Sequence, residues 1–298
     1  SVVKNILLLY KKQFDLLRFI YSHRFVTTKQ VQKFLAKSYI QEAQQRLNTL
    51  LAKQYIGRRY SNDDKLLGRY ASYFLLPEGM ELIKGYVDTK ALRLMRKDPT
   101  ASQRFIDHNI AVGEVSAELK RMLKGVLSEV DFHTKTDIMY QSRIEYESNW
   151  DGSDDFEVMT DFYPKPMSDG YLQGWPINYE HVTFVGFLVE VWHETVPFWV
   201  YRKRIQYLIE YTDDETWQEY FTGSETPPLL LICDNPTLQR RVQRYLRRIY
   251  DSMSHDYQFL VTNLQLIAKA EGNDAIWTRV DYETIESIRL TDVPEDYT

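Results

Sequence analysis

Residues 27–79 read TTKQVQKFLAKSYIQEAQQRLNTLLAKQYIGRRYSNDDKLLGRYASYFLLPEG, and the changes of period within them decide the fold of the first third of the chain. Thr27 and Thr28 offer hydroxyl caps to a short helix whose apolar positions are Val31, Phe34 and Leu35. After a break at Lys37 to Tyr39, the apolar residues Ala43, Leu47, Leu50 and Leu51 recur at helical spacing and predict a helix over 40–54. Upstream, Ile6, Leu9, Tyr10, Phe14, Leu17 and Ile20 form the stripe of a longer amphipathic helix over 6–21. Three helices, the last two joined by a short turn, read as a helix-turn-helix.

Beyond the third helix the pattern changes. Tyr55 to Tyr60 and Arg69 to Leu76 are aromatic, β-branched and basic runs that predict two strands. Between them lies the polar stretch 61–68, with Asn62, Asp63, Asp64 and Gly68, which predicts a flexible hairpin tip. Pro77 then opens a helix over 78–86. This order resembles the winged-helix fold of many bacterial DNA-binding proteins, in which a strand ending in leucine and proline leads into the helix after the wing.

Charge supports a phosphate-binding role for the same segment. Residues 1–97 carry 19 Lys and Arg against 7 Asp and Glu, a balance of +12; residues 98–298 carry the remaining 18 against 35, a balance of -17. The whole-chain value of -5 hides that asymmetry. A basic block with ordinary apolar content is the footprint of a domain that neutralises phosphates and releases their counterions. On the third helix, Gln41, Gln44, Gln45 and Asn48 lie opposite the leucines, and amide side chains match the adenine edge in the major groove. Lys29, Lys33 and Lys53 surround that helix, while Arg58, Arg59, Lys65 and Arg69 load the wing as candidate backbone or minor-groove contacts.

The remaining 201 residues, 98–298 of the 298, have a different organisation. The charged stretch 88–101 predicts a connector, so the expected domains are 1–97 and 98–298. A long helix is expected over 102–127. Strands are expected over 156–163, 181–192, 229–233 and 257–261, with helices over 197–211 and 237–253. Strands alternating with helices imply an α/β layer structure. The helix over 237–253 also carries a basic ridge, Arg240, Arg241, Arg244, Arg247 and Arg248. It suits more DNA, an acidic partner surface or plain solvation.

Composition excludes several classes. With 44% hydrophobic and 27% charged residues, and only 12 Gly and 10 Pro, the chain is neither disordered nor collagen-like. Its lone cysteine, Cys233, sits in an apolar run and cannot close an internal disulfide, which fits a reducing, cytoplasmic setting. No apolar stretch is long enough to span a bilayer, and Ser1 to Lys12 makes no convincing signal peptide. No Gly-rich phosphate loop, nucleophile elbow or zinc spacing of histidines occurs.

Along its length the chain resembles the replication-relaxation proteins of plasmids and other mobile elements. The likeness rests on the winged-helix start, His108-Asn109-Ile110-Ala111-Val112, Asp161 at a strand end, Phe187-Leu188-Val189-Glu190-Val191, Lys203-Arg204, Pro228 to Ile232, Val261-Thr262-Asn263-Leu264 and Ile276-Trp277. The resemblance implies an α+β winged helix-turn-helix domain followed by an α/β restriction-endonuclease-like domain of the PD-(D/E)xK type. In such a site Asp161 and Glu190 would be the metal-holding carboxylates, with Glu114 or Glu118 from the preceding helix. Trp192 stands where the lysine belongs, so Lys203 or a neighbouring arginine would have to replace it.

The domain is therefore expected to be degenerate, with Mg2+ as a cofactor only if the site is active and none otherwise. The leading expectation is a double-stranded DNA-binding accessory protein acting in replication, relaxation or transfer at an origin. A transcriptional regulator of the element and a metal-dependent nuclease using Asp161 and Glu190 are the alternatives. A relaxase, a replication protein or a second copy of the chain is the expected protein partner, and no membrane is.

Overall fold

In the computed structural model the described residues are 2–138, 168–177, 185–213, 227–250, 257–280 and 285–290. They divide into two compact units, one running from Ser1 to Ala117 and one from Glu118 onward.

In the first unit, helix α1 (Val2–His23) is followed by the two-residue strand β1 (Val26–Thr27) and helix α2 (Thr28–Phe34). Thr27 caps α2 through a reciprocal box: its side chain accepts from the Gln30 N–H, and Gln30 Oε1 accepts from the Thr27 N–H at 2.8 Å. Helix α3 (Ile40–Ala52) then leads to strand β2 (Ile56–Arg59), and Gln54 makes the turn with φ +57. The apolar stripes seen in the sequence converge here, with Leu17, Ile20, Val31, Leu47 and Leu50 buried in one core.

Strand β3 (Ser72–Leu75) lies between β1 and β2 in an antiparallel three-stranded sheet of order β1-β3-β2. The 61–68 stretch between β2 and β3 is not the flexible tip its polarity suggested. It folds as helix α4 (Asn62–Leu66). Ser61 and Asp64 form a capping box, and Gly68, at φ +64, ends the turn while Arg69 N donates to the Asp64 carbonyl at 2.8 Å. The Ser61 N–H and hydroxyl hold the Asp64 carboxyl below the usual carboxylate range.

Pro77 opens helix α5 (Pro77–Ile83), and the stretch expected as a connector contains helix α6 (Thr89–Met95), capped by Asp88 through the Ala91 N–H at 2.7 Å. Helix α7 (Gln103–Leu123) follows. Its first half and the residues just before it stay with the first unit because polar groups fasten them there: Gln30 Nε2 donates to the Ile110 carbonyl at 2.8 Å, Arg59 to the Ala101 carbonyl, and Arg24 pairs with the buried Asp98. The boundary between the units thus falls later in the chain than the charge balance places it.

Among the described residues the second unit holds a seven-stranded mixed sheet of order β10-β9-β8-β7-β6-β5-β4. The strands are β4 (Leu127–Thr134), β5 (Gly170–Pro176), β6 (Val185–Trp192), β7 (Leu229–Cys233), β8 (Phe259–Asn263), β9 (Trp277–Val280) and β10 (Ile285–Ile288). β6, β7 and β8 are parallel neighbours, and the outer pairs are antiparallel. Helices α8 (Phe198–Asp213) and α9 (Pro236–Tyr250) are the crossovers between the parallel strands, as such pairing requires.

Both helices share one core with the sheet. Leu188, Leu229, Leu231 and Phe259 from the strands meet Ile205, Leu208, Val242 and Leu246 from the helices. After β8 comes helix α10 (Leu264–Lys269), capped by Asn263, whose side chain also donates to Gln239 at 2.6 Å. Cys233 is a buried free thiol, and burial pushes its pKa far up, so it is an inert core residue. The expected strand over 156–163 lies outside the described residues, as does the start of the one expected from His181. Among the described residues no helix is long and apolar enough to cross a membrane.

Candidate nucleic-acid interface and the buried carboxylate of the second unit

The spacing of Ala43, Leu47 and Leu50 commits one face of α3 to the core, which leaves Gln41, Gln45 and Asn48 exposed on the other. Gln44 lies at the boundary and is engaged inside the protein. It accepts from the Thr28 hydroxyl at 3.3 Å and donates to the Tyr73 hydroxyl at 3.2 Å and to Asn48 Oδ1 at 3.0 Å. Gln44 therefore ties α3 to the start of α2 and to the central strand, and steadies Asn48 through its oxygen. Lys37 pairs with Glu42 at 2.5 Å, fastening the turn between α2 and α3. Lys29 and Lys33 are exposed on α2, and Lys53 stands at the end of α3 with its ammonium 5.8 Å from the Tyr55 ring centre.

The β2–β3 hairpin separates its cations into two groups. Arg58 is exposed, with its guanidinium 5.9 Å from the ring centre of Tyr60, and Lys65 is exposed on α4. Arg59 and Arg69 turn instead into a cleft that Asp64 and Asp107 also line. Arg59 donates to the Ala101 carbonyl and Arg69 pairs with Asp64 at 3.6 Å. Alternation along β2 sets Arg58 apart from Arg59, since neighbours on a strand face opposite ways. The hairpin tip presents Leu66 and Leu67, 84% and 66% exposed, beside Tyr70. Apolar residues at an extremity flanked by cations were not singled out from the sequence.

In the second unit, Glu190 is only 4% exposed although it sits on strand β6. Its Oε1 accepts two hydrogen bonds from Arg204, from Nε at 3.1 Å and Nη2 at 2.5 Å, and its Oε2 accepts from the Trp192 indole at 3.3 Å. The Asp169 carboxylate, just before β5, accepts the Val191 N–H at 2.9 Å and lies close enough to act on both groups. Burial pushes the Glu190 carboxyl up; Arg204 pulls it down, and Asp169 adds to the rise. Trp192, which stands where the resemblance leads one to expect a lysine, is buried and stacked on Tyr201 with centroids 4.2 Å apart.

The other sequence candidates fall elsewhere. Lys203 is exposed, its ammonium 5.4 Å from the Trp199 ring centre, while its neighbour Arg204 reaches the carboxylate. The helical period holds the reason: Tyr201, Ile205 and Leu208 face the core, and residue 204 shares that face whereas residue 203 does not. Glu114 is exposed on the part of α7 that belongs to the first unit, and Glu118 pairs with Arg121 at 2.7 Å. Asp161 lies outside the described residues. Asp169 was missed because nothing marked residues 170–176 as a strand.

These residues do not fit a Mg2+ centre. Both Glu190 oxygens are occupied by fixed donors, and a guanidinium already supplies the compensating charge. Among the described residues no three His, Cys, Asp or Glu side chains converge as a metal site.

Residues 17–133 match the family model named replication-relaxation, a span that runs from within α1 to within β4. The motifs from Asp161 onward lie beyond it. No curated protein and no solved structure matches the chain.

Proposed function

We propose that this protein binds double-stranded DNA through its first unit, as a winged helix-turn-helix, and acts as an accessory factor in the replication or relaxation of a plasmid or other mobile element. The observation that carries the reading is the exposed amide face of α3, Gln41, Gln45 and Asn48, set beside the exposed cations Lys29, Arg58 and Lys65 in a segment that matches the replication-relaxation family. In this reading α3 enters the major groove, where Gln45 and Asn48 meet base edges, while the lysines and Arg58 hold phosphates. Leu66 and Leu67 form the tip of the wing, where apolar side chains can press against the minor groove. The bland alternative, a solvated polar helix, would leave the charge asymmetry of +12 against -17 without a role.

The reading contains no cleavage step. In it the second unit resembles a nuclease-like domain only as a scaffold, its carboxylate closed by Arg204. The deciding measurement is affinity for duplex DNA across a salt series. Several phosphate contacts require a steep fall of affinity with salt, and an affinity flat with ionic strength would overturn the proposal. Selecting bound fragments from the DNA that carries the gene then separates an origin factor, which recovers one intergenic repeat region, from a regulator, which recovers promoters.

A further inference from the structure

The second unit carries a net negative chain segment, yet one of its surfaces is cationic and aromatic. Helices α8 and α9 lie side by side on one face of the sheet, joined where Arg241 covers the Phe198 ring at 4.3 Å and Phe198 meets Tyr245 edge-on at 5.7 Å. Outward on α8 stand Trp199, Lys203 and Tyr207, four residues apart each time and so stacked along one stripe. Trp199 is 54% exposed and Tyr207 57%. Two turns separate the rings, about 12 Å along the axis, and the Lys203 ammonium sits by the indole between them. Outward on α9, Arg240, Arg244 and Arg248 repeat the same spacing, all exposed, and residues 236–250 contain no carboxylate. Glu210, one turn past Tyr207, is the carboxylate that α8 exposes among the described residues.

We infer that this α8–α9 face binds single-stranded nucleic acid. A cationic ridge follows a phosphate backbone, and large exposed rings stack on bases whose faces are open. Duplex DNA hides those faces inside its stack, so the rings would gain nothing from it. An acidic protein would engage the arginines but has no use for two rings spaced along a stripe with a lysine between them. Solvation alone accounts for the arginines and leaves the exposure of an indole and a phenol unexplained. The site is separate from the amide face of α3 and does not depend on it.

The test uses the full chain and fluorescently labelled oligo-dT, which has no structure of its own, with a duplex of equal length as the comparison. Trp199→Ala and Tyr207→Ala should each weaken oligo-dT binding by about ten-fold, within the range for loss of one base stack. Arg240→Ala with Arg244→Ala should lower its salt dependence, and none of the four should change duplex affinity. Unaltered thermal unfolding establishes that the variants fold, as expected for exposed positions. Trp199→Phe, which keeps a ring, should restore most of the affinity. The inference is overturned if oligo-dT does not bind, or if it binds equally well to all these variants. It is also overturned if Asn48→Ala and Arg58→Ala remove oligo-dT binding instead, or if the α8–α9 variants abolish only self-association seen by light scattering, which would make the face a protein interface.

Discussion

Glu190 and Arg204 show how one residue pair can fix the character of a site. A carboxylate on a central strand, buried to 4% exposure, needs a partner, and Arg204 supplies both its hydrogen bonds and its charge. Arg204→Ala should therefore cost about 3 kcal/mol or more of stability in urea unfolding, because it leaves an uncompensated buried charge. The loss has a predictable pH dependence. Burial raises the Glu190 carboxyl in the folded state, and without the guanidinium only the Trp192 indole opposes that rise, so the folded protein keeps a proton that the unfolded chain gives up. The stability of the variant should be highest in acid and fall as pH rises through the raised value. The double change Glu190→Gln with Arg204→Met removes both charges and should recover most of the loss; if the double variant is no more stable than Arg204→Ala, the buried charge is not the cause. His133 on β4 behaves in the opposite sense. Burial depresses it, with Asp137 and Asp131 opposing, so the neutral ring is the folded form. Its contribution is present above about pH 6.5, the unfolded value, and is lost as pH falls below it. A unit-specific unfolding curve that is flat from pH 7.5 to pH 5, or unchanged in His133→Asn, would show that the ring does not titrate with unfolding.

At the scale of elements, backbone approach matters as much as side-chain pattern. Gly79 on α5 lies so close to β2 that a Cβ there would run into the Tyr55 carbonyl oxygen, which is already the acceptor of the Leu76 N–H at 3.0 Å. Neither helix nor strand end can move without breaking that bond, so Gly79→Ala should destabilise the first unit by about 1–3 kcal/mol despite improving helix propensity. Glu78→Ala, exposed one residue earlier, should be near neutral in the same melting experiment. Thr27→Ala should cost about 1 kcal/mol through loss of the capping box. The long helices were legible in the sequence because their stripes run for several turns, and β7 was legible as a fully buried run. The elements that escaped were short or irregular. α4 has five residues, too few for a period to show, and its polar composition mimics a loop. β4 escaped because its register shifts between Ser128 and Asp131, where Glu129 takes φ +52, and the shift breaks the alternation that marks a strand. The candidate site was legible to the same degree. The exposed face of α3 could be read from its period and Glu190 was reached through the family resemblance, whereas Gln44 and Arg59 spend their polar groups on partners far away in sequence, Tyr73 and Ala101, which no local pattern reveals.

For the molecule as a whole, the proposed binding of duplex DNA by the first unit predicts a division of labour that a single titration series can separate. Removing one cation that sits on a phosphate should reduce the slope of log affinity against log salt by about 0.9 on duplex DNA. Lys29→Ala and Arg58→Ala in the full chain should each flatten that slope by close to one and weaken cognate and random duplexes alike, since phosphates carry no sequence information. Gln45→Ala and Asn48→Ala should leave the slope untouched and cost about 1–3 kcal/mol on the cognate duplex only. Arg59→Ala belongs to neither class: its guanidinium is held by the Ala101 carbonyl, so its removal should appear in thermal unfolding rather than in the salt slope. The Arg240 and Arg244 pair lies on the α8–α9 face, whose exposed rings need open base faces that a duplex does not offer. Their loss should leave duplex binding and its slope as they were. If instead the duplex slope drops by about two in that double variant and stays fixed in Lys29→Ala and Arg58→Ala, the duplex rides on α9, and the face of α3 is not the one that meets DNA.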